Sequence, residues 1–425
     1  MSKNNKLIAV ALVTSLFFIW GFALNLNPIL IPHLKKACQL NDRQSSYIDF
    51  ASYLAYFLLA IPAAQFMKKY GYKGGILLGL ILFACGAFLF YPAAASRSYI
   101  FFLGALFVIF CGAAFLETAA NPYITVLGTP ETAAFRINLS QSFNGFAAFL
   151  APLLGGMFIL SGKTLTAAQT ASMSADQLNT YLNKEASAVQ VPYLIIGIVV
   201  LVVALLIYRT SLPEIVEDNP ATLADEAKPL LHRMSLLLKE KTLMSGAVAE
   251  LFYVGAQACV FSFFIRFSER VAGTEEKAAA VYLSIATLGF LIGRATGTAL
   301  MIVVNPVKIL ATYSAINVFL ILFAIVAHSQ ASVYALIGVG FFMSIMFPTI
   351  FSLSIRGLGA KTKLGSSFVI MGIVGGAIFP VIMGFVSDLS SIQYAYIVPA
   401  VCFVYIFFFA YRNLKVKKLE VVAAH

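Results

Sequence analysis

Charge is what this chain has least of. Only 11% of its 425 residues are charged, with 18 Asp and Glu against 29 Lys and Arg, where soluble chains carry roughly 25%. A soluble chain of this length would divide into two or three domains with polar surfaces, and the polar side chains here are too few to cover them. Cysteine is scarce too. The five, Cys38, Cys85, Cys111, Cys259 and Cys402, have no metal-ligand spacing and imply no disulfide framework. Four of them fall inside apolar runs and read as small packing residues. A phosphate-cradling Walker loop, a His/Glu metal motif and a Gly-x-Ser-x-Gly elbow are all missing. Enzymatic chemistry and nucleotide-driven work therefore have no residues to carry them, and no cofactor or metal is called for.

What is abundant is apolar. Hydrophobic residues make up 60% of the chain. A hydrocarbon core takes about 20 apolar residues per helix, and twelve such runs can be laid down: 7–32, 47–67, 74–95, 98–127, 141–161, 191–209, 244–266, 279–302, 308–328, 331–354, 364–388 and 392–412. Backbone groups in lipid have no water to bond, so each run is expected to be helix. Runs this long and uniform do not fit alternating barrel strands. The fold class is an all-α membrane protein of twelve transmembrane helices. The first run is too long for a signal-peptide core and has no small-residue cleavage site, so it reads as a retained span.

The net charge of +11 locates loops and does not point to nucleic acid. With both termini on the cytoplasmic side, 20 of the 29 Lys and Arg fall inside, an excess that favours this orientation and an even helix count. Two polar connections are long, 162–190 and 210–243. The second divides the chain into a six-helix bundle at 1–209, an inter-bundle loop at 210–243 with room for a short surface helix, and a second six-helix bundle at 244–425. The halves echo each other. "NPYITVLG" before Arg136 matches "FPTIFSLSIRGLG", and "SQSFNGFAAFLAPLLGG" matches "GSSFVIMGIVGGAIFPVIMG". Two similar halves point to a transporter with its site between them near the bilayer midplane.

Ionisable groups inside a membrane are expensive and mark function by default. Glu117 lies well inside the fourth span, in "FLETAANPYITVLG", and Asn121 shares its helix face four residues on. Such a carboxyl is suited to exchange a proton and to hydrogen-bond a hydroxylated ligand; a structural bond to a neighbouring helix is the other reading. Asp49, Tyr53 and Tyr56 fall at i, i+4 and i+7 on one face of the second span, either lining a polar cavity or placing Asp49 at the rim. Trp20, Asn25 and Asn27 stand beside Pro28 and Pro32, which free backbone carbonyls and invite a kink. Gln141 and Asn144 lie three apart in the fifth span, and Tyr253, Gln257 and Phe261 share a stretch of the seventh. Amides, phenols and aromatic faces suit a sugar's hydroxyls and C–H face. Any one of them serves equally well in helix–helix bonding, and the set carries the argument. Glu250 and Arg294 lie nearer the cytoplasmic side. Lys68, Lys69 and Lys73 in "MKKYGYKGG", Arg294 in "GRATG", and the loop cations Arg136 and Arg356 read as gating groups able to pair across a cytoplasmic gate, or as simple positive-inside anchors.

At "FFIWGFALNLNPILIPHLKKACQL", "FLETAANPYITVLG", "FRINLSQSFNGFAAFLAP", "FMSIMFPTIFSLSIRGLG" and "GSSFVIMGIVGGAIFPVIMGFVSD" the chain resembles the major facilitator superfamily, and within it the fucose–galactose–glucose:proton symporter family. The likeness runs over nearly the whole length, and the Leu-Glu-Thr-Ala-Ala-Asn-Pro run is specific to that family. The resemblance implies two rocking six-helix bundles and sugar–proton symport into the cytoplasm of a bacterium across its inner membrane. It implies a proton- and sugar-linked role for Glu117 and a sugar-cavity role for Asn25 and Gln141. The expected partners are a monosaccharide (glucose, galactose or L-fucose), a proton or sodium ion, and the lipid bilayer, with the chain acting as a monomer.

One departure bears on coupling. The first-helix pattern of the family's fucose transporters is Asn-x-Asn-Asp, and here Pro28 stands in the aspartate's place. Asp49 stands on the next helix where those transporters have glutamine. A relocated carboxylate at Asp49, sodium coupling and uncoupled transport are the three consequences left open. An exporter of another small metabolite on the same fold is the alternative reading.

Overall fold

The computed structural model describes residues 3–126, 133–162, 165, 167–210, 212, 230–356, 358 and 362–414. The side chains of Lys3, Lys6, Lys68, Lys228, Arg233, Lys361, Lys363, Lys415, Lys417 and Lys418, all read as cytoplasmic cations, lie outside what it describes. Among the described residues the chain is helical throughout, with no strand.

The first half holds α1 (Lys3–Ala37), the four-residue α2 (Asp42–Ser45), α3 (Tyr47–Ala95), α4 (Tyr99–Val126), α5 (Ala133–Phe158), α6 (Ala167–Ser172), α7 (Ala175–Ser187) and α8 (Gln190–Arg209). The second holds α9 (Leu230–Leu237), α10 (Lys241–Ala272), α11 (Glu276–Leu300), α12 (Pro306–Val326), α13 (Gln330–Met343), α14 (Met346–Ser354), α15 (Thr362–Met371), a 3-10 turn (Gly372–Val374), α16 (Gly375–Leu389), α17 (Ile392–Ala395) and α18 (Ile397–Asn413). α9 is the short helix expected within the inter-bundle loop.

Eleven described helical segments are long and apolar enough to cross a membrane. α5 is not among them. It has the length, 26 residues, but its first half carries the polar Arg136, Ser140, Gln141, Ser142 and Asn144, of which Arg136, Gln141 and Asn144 are among the expected site residues. It completes the twelve. α3 contains two spans, separated at Gly71, where φ is 75°, a conformation glycine adopts without a Cβ clash. Two expected spans are each broken in the middle. The tenth stops at Met343 and resumes at Met346, two residues before Pro348, which has no N–H to offer Ser344 one turn back. The eleventh breaks into the 3-10 turn at Gly372–Val374.

Two six-helix bundles result. α1 packs on α5, and α3 on α4 and α8; in the other bundle α12 packs on α18, α11 on α13 and α10 on α16. Across the boundary α5 meets α11, α3 meets α16 and α1 meets α10. At the end of the molecule that carries α2, close approach depends on glycine. A Cβ on Gly384 would lie 2.8 Å from the carbonyl oxygen of Asp42.

Candidate functional site

The helix faces that look toward the bundle boundary are where the polar side chains gather. Glu117 and Asn121 are half-buried on α4, one turn apart on the same face as their spacing requires. Gln141 on α5 donates from Nε2 to Asn121 Oδ1 at 3.3 Å. On α3 the buried Tyr56 turns its phenol toward the Glu117 carboxyl, and Tyr53, one turn away, approaches Tyr253 of α10 in the other bundle. A polar seam thus runs from α5 through α4 and α3 to α10. Asn25, Asn144 and Gln257 are also half-buried. Asn25 Nδ2 donates to the Gly21 carbonyl at 2.7 Å, and Asn144 Nδ2 to the Phe17 carbonyl at 3.3 Å, tying α5 to α1.

Three expected binding residues are packed away from open space. Trp20 is buried with its ring 4.3 Å from that of Phe17. Tyr253 is fully buried and its hydroxyl has no hydrogen-bond partner. Phe261 is buried edge-on to Phe290, at 6.1 Å between centroids.

Asp49 is 1% exposed. It is covered by the packing of the two bundles in this conformation. Asn27 of α1 binds the same turn of α3, donating from Nδ2 to Ser52 Oγ at 2.8 Å and standing 3.5 Å from Asp49 Oδ1. Ser262 and Arg266, on α10 of the opposite bundle, face the same carboxyl.

Asp42, unremarked in the sequence, is the hub of the closed end. It opens α2 within a capping box made by Asn41 and Gln44 and is 1% exposed. Its carboxylate accepts from Arg266 Nη1 at 3.0 Å, Arg270 Nη1 at 2.6 Å and Nη2 at 3.0 Å, Ser387 Oγ at 2.6 Å, and Lys35. Arg266, Arg270 and Ser387 belong to the other bundle. Asp388 returns the contact, its carboxylate accepting from the backbone N–H groups of Asp42 and Arg43 at 2.8 and 2.9 Å, where a helix N-terminus favours an anion. Beside this hub Lys36 pairs with Glu276 of the other bundle at 3.0 Å and with Glu185 at 3.2 Å. Every ion pair between two described residues lies at this end of the molecule. Outside the hub is a cavity of about 740 Å³, with Lys36, Arg266, Arg270 and Glu276 in its wall.

The cations expected at a gate occupy a different place. Lys73 donates to the Tyr208 and Thr210 carbonyls, 2.9 Å each, and Arg136 Nε to the Ile124 carbonyl at 3.0 Å, both within the first bundle. Lys69 lies over the Tyr70 ring, and Arg356 is exposed. Arg294 turns into its own bundle, over Phe290, and donates at 3.4 Å to the Ser344 carbonyl that Pro348 leaves free. Among the described residues the ion pairs that cross between bundles are those of the α2 end, while the bonds shown for Lys73, Arg136 and Arg294 stay within their own half; the Lys68 side chain lies outside the described residues.

Two six-helix bundles that cross the membrane, with polar groups gathered on their facing surfaces, have the architecture of a membrane transporter. The Major Facilitator Superfamily model matches residues 11–369, and the chain belongs to that superfamily. It is 43% identical over 413 residues to the L-fucose-proton symporter of Escherichia coli, covering 96% of this chain and 93% of that one. It is 40% identical over 410 residues to the glucose/galactose transporter of Brucella abortus, covering 96% and 94%. Among solved structures, a superfamily transporter in the outward conformation, FucP, matches with a TM-score of 0.70 at 42% identity, covering 96% of this chain and 99% of that one.

Proposed function

We propose that the chain imports a monosaccharide, a hexose such as glucose or galactose or else L-fucose, by proton symport with alternating access. The observation that carries this reading is the seam of Glu117, Tyr56, Asn121 and Gln141 on half-buried helix faces between the bundles. It offers amides and a phenol for hydroxyl groups around one exchangeable carboxyl, in a chain of 40% identity or more to a fucose–proton symporter and a glucose/galactose transporter. Glu117 takes the proton and contacts the sugar; Gln141, Asn121 and Asn25 bond its hydroxyls. The moving units are 1–209 and 244–425, joined by the loop at 210–243.

With both termini cytoplasmic, in a bacterial inner membrane, α2 is extracellular. The hub around Asp42 then closes the outer gate, the cavity beyond it is the outer vestibule, and the site opens inward. A difference in bundle arrangement from an outward-conformation relative is consistent with a TM-score of 0.70 at 42% identity.

Asp49 takes over from the carboxylate that Pro28 displaces. The support is its burial and its contact with Asn27, the residue next to Pro28 in α1: the carboxyl has moved one helix over and kept its link to the first. The test is uptake of a labelled monosaccharide panel into proteoliposomes under separately imposed proton and sodium gradients. Accumulation driven by the proton gradient alone is expected; accumulation that follows sodium, or mere equilibration under either gradient, overturns the coupling assignment.

A further inference from the structure

Glu250 is a buried carboxyl that the reading above leaves unused. It lies on α10, three residues before Tyr253, at 0% exposure, and neither of its carboxyl oxygens has a hydrogen-bond partner. Backbone covers it. A Cβ on Gly372, in the 3-10 turn, would lie 3.0 Å from Glu250 Cβ and 2.9 Å from the Ala247 carbonyl oxygen. The break in the eleventh span is thus laid directly on α10 at this residue, glycine against helix.

No cation among the described residues answers the carboxyl. On its own helix it has Tyr253, whose hydroxyl is likewise without a hydrogen bond. Arg294 of α11 faces Tyr253 and donates to the Ser344 carbonyl. Tyr53 of α3 lies in the electrostatic neighbourhood of Tyr253. α14 has no titratable side chain, and Asp388 of α16 is bonded to α2 at the far end. Tyr405 of α18 stacks on Phe252, and Tyr334 of α13 packs edge-on against Tyr282. At 0% exposure and with no cation facing it among the described residues, an ionised carboxylate would go uncompensated, which favours the neutral acid. A permanently neutral filler would be better met by Leu or Met, whereas an ionisable group at membrane depth points to use.

We propose that Glu250 is a further proton-binding site, in the C-terminal bundle and additional to Glu117 and Asp49 of the first, which holds its proton in this conformation and exchanges it with water when the 372–374 turn slides off α10. The proton adds to one carboxylate oxygen from water on one side of the membrane and leaves to water on the other; no other bond changes. The proposal rests on the proton-symport reading.

The experiment is the limiting sugar accumulation in proteoliposomes at a fixed pH step, for wild type, Glu250→Gln and Glu250→Met, the last matching the apolar surroundings. Each coupled proton contributes about tenfold in accumulation per pH unit. Both variants are expected to accumulate about tenfold less than wild type at one unit while sugar counterflow persists. Wild-type accumulation in either variant overturns the proposal, and so does loss of counterflow in both, which makes Glu250 a packing residue. A wild type that fails to accumulate sugar on a pH step overturns the symport reading instead, so the two failures are distinguishable.

Discussion

Arg266 donates from Nη1 to Asp42 Oδ1 at 3.0 Å across the boundary between the two bundles, and both side chains are 2% exposed. Arg266 also faces Asp49, so one buried guanidinium lies between the carboxylate that closes an end of the molecule and the carboxylate assigned to coupling. Removing one partner of a buried ion pair leaves the other uncompensated, at about 3–5 kcal/mol. Asp42→Asn keeps the shape and strands three cations. It is expected to shift the population toward the arrangement open at the α2 end. Spin labels at Gln39 and Glu275, in a background without native cysteines, should read a longer distance in the variant. An unchanged distance distribution would mean that the hub accompanies closure without holding it.

Glu117→Gln is expected to abolish proton-driven sugar accumulation while counterflow survives, because the amide keeps the shape and can still bond the ligand but cannot release a proton. Accumulation at the wild-type level would remove Glu117 from coupling.

The spans and the seam were legible because lipid imposes them. Twelve apolar runs have one solution in helices, and Glu117 with Asn121, or Asp49 with Tyr53 and Tyr56, are local spacings that place side chains on one face. The hub was not legible. Asp42 and its partner Arg266 are 224 residues apart, and in the sequence both look like rim charges at the ends of spans. The bond that Arg294 makes was not legible for a related reason. Its carbonyl partner exists only because Pro348, 54 positions away in the chain, leaves Ser344 unbonded, a vacancy visible only once α11 and α14 are packed.

Asp49→Asn tests the relocated carboxylate. Asn27 can bond an amide in that place as well as a carboxyl, so folding and sugar binding are expected to persist while sugar-induced alkalinisation of the medium falls. A wild-type alkalinisation trace alongside intact sugar binding would show that the chain couples without Asp49.

Gln141→Ala separates binding from coupling. Gln141 reaches Asn121 across α5 and α4, and the proposed sugar would share that amide pair. Losing one net hydrogen bond of about 1.4 kcal/mol weakens sugar binding about tenfold. The number of protons moved per sugar should stay as in wild type, since no titratable group is touched. Isothermal titration gives the Kd and zero-flux accumulation gives the ratio. A changed ratio with unchanged Kd would place Gln141 in the proton route and reverse the division of roles between the amides and the carboxyls of the seam.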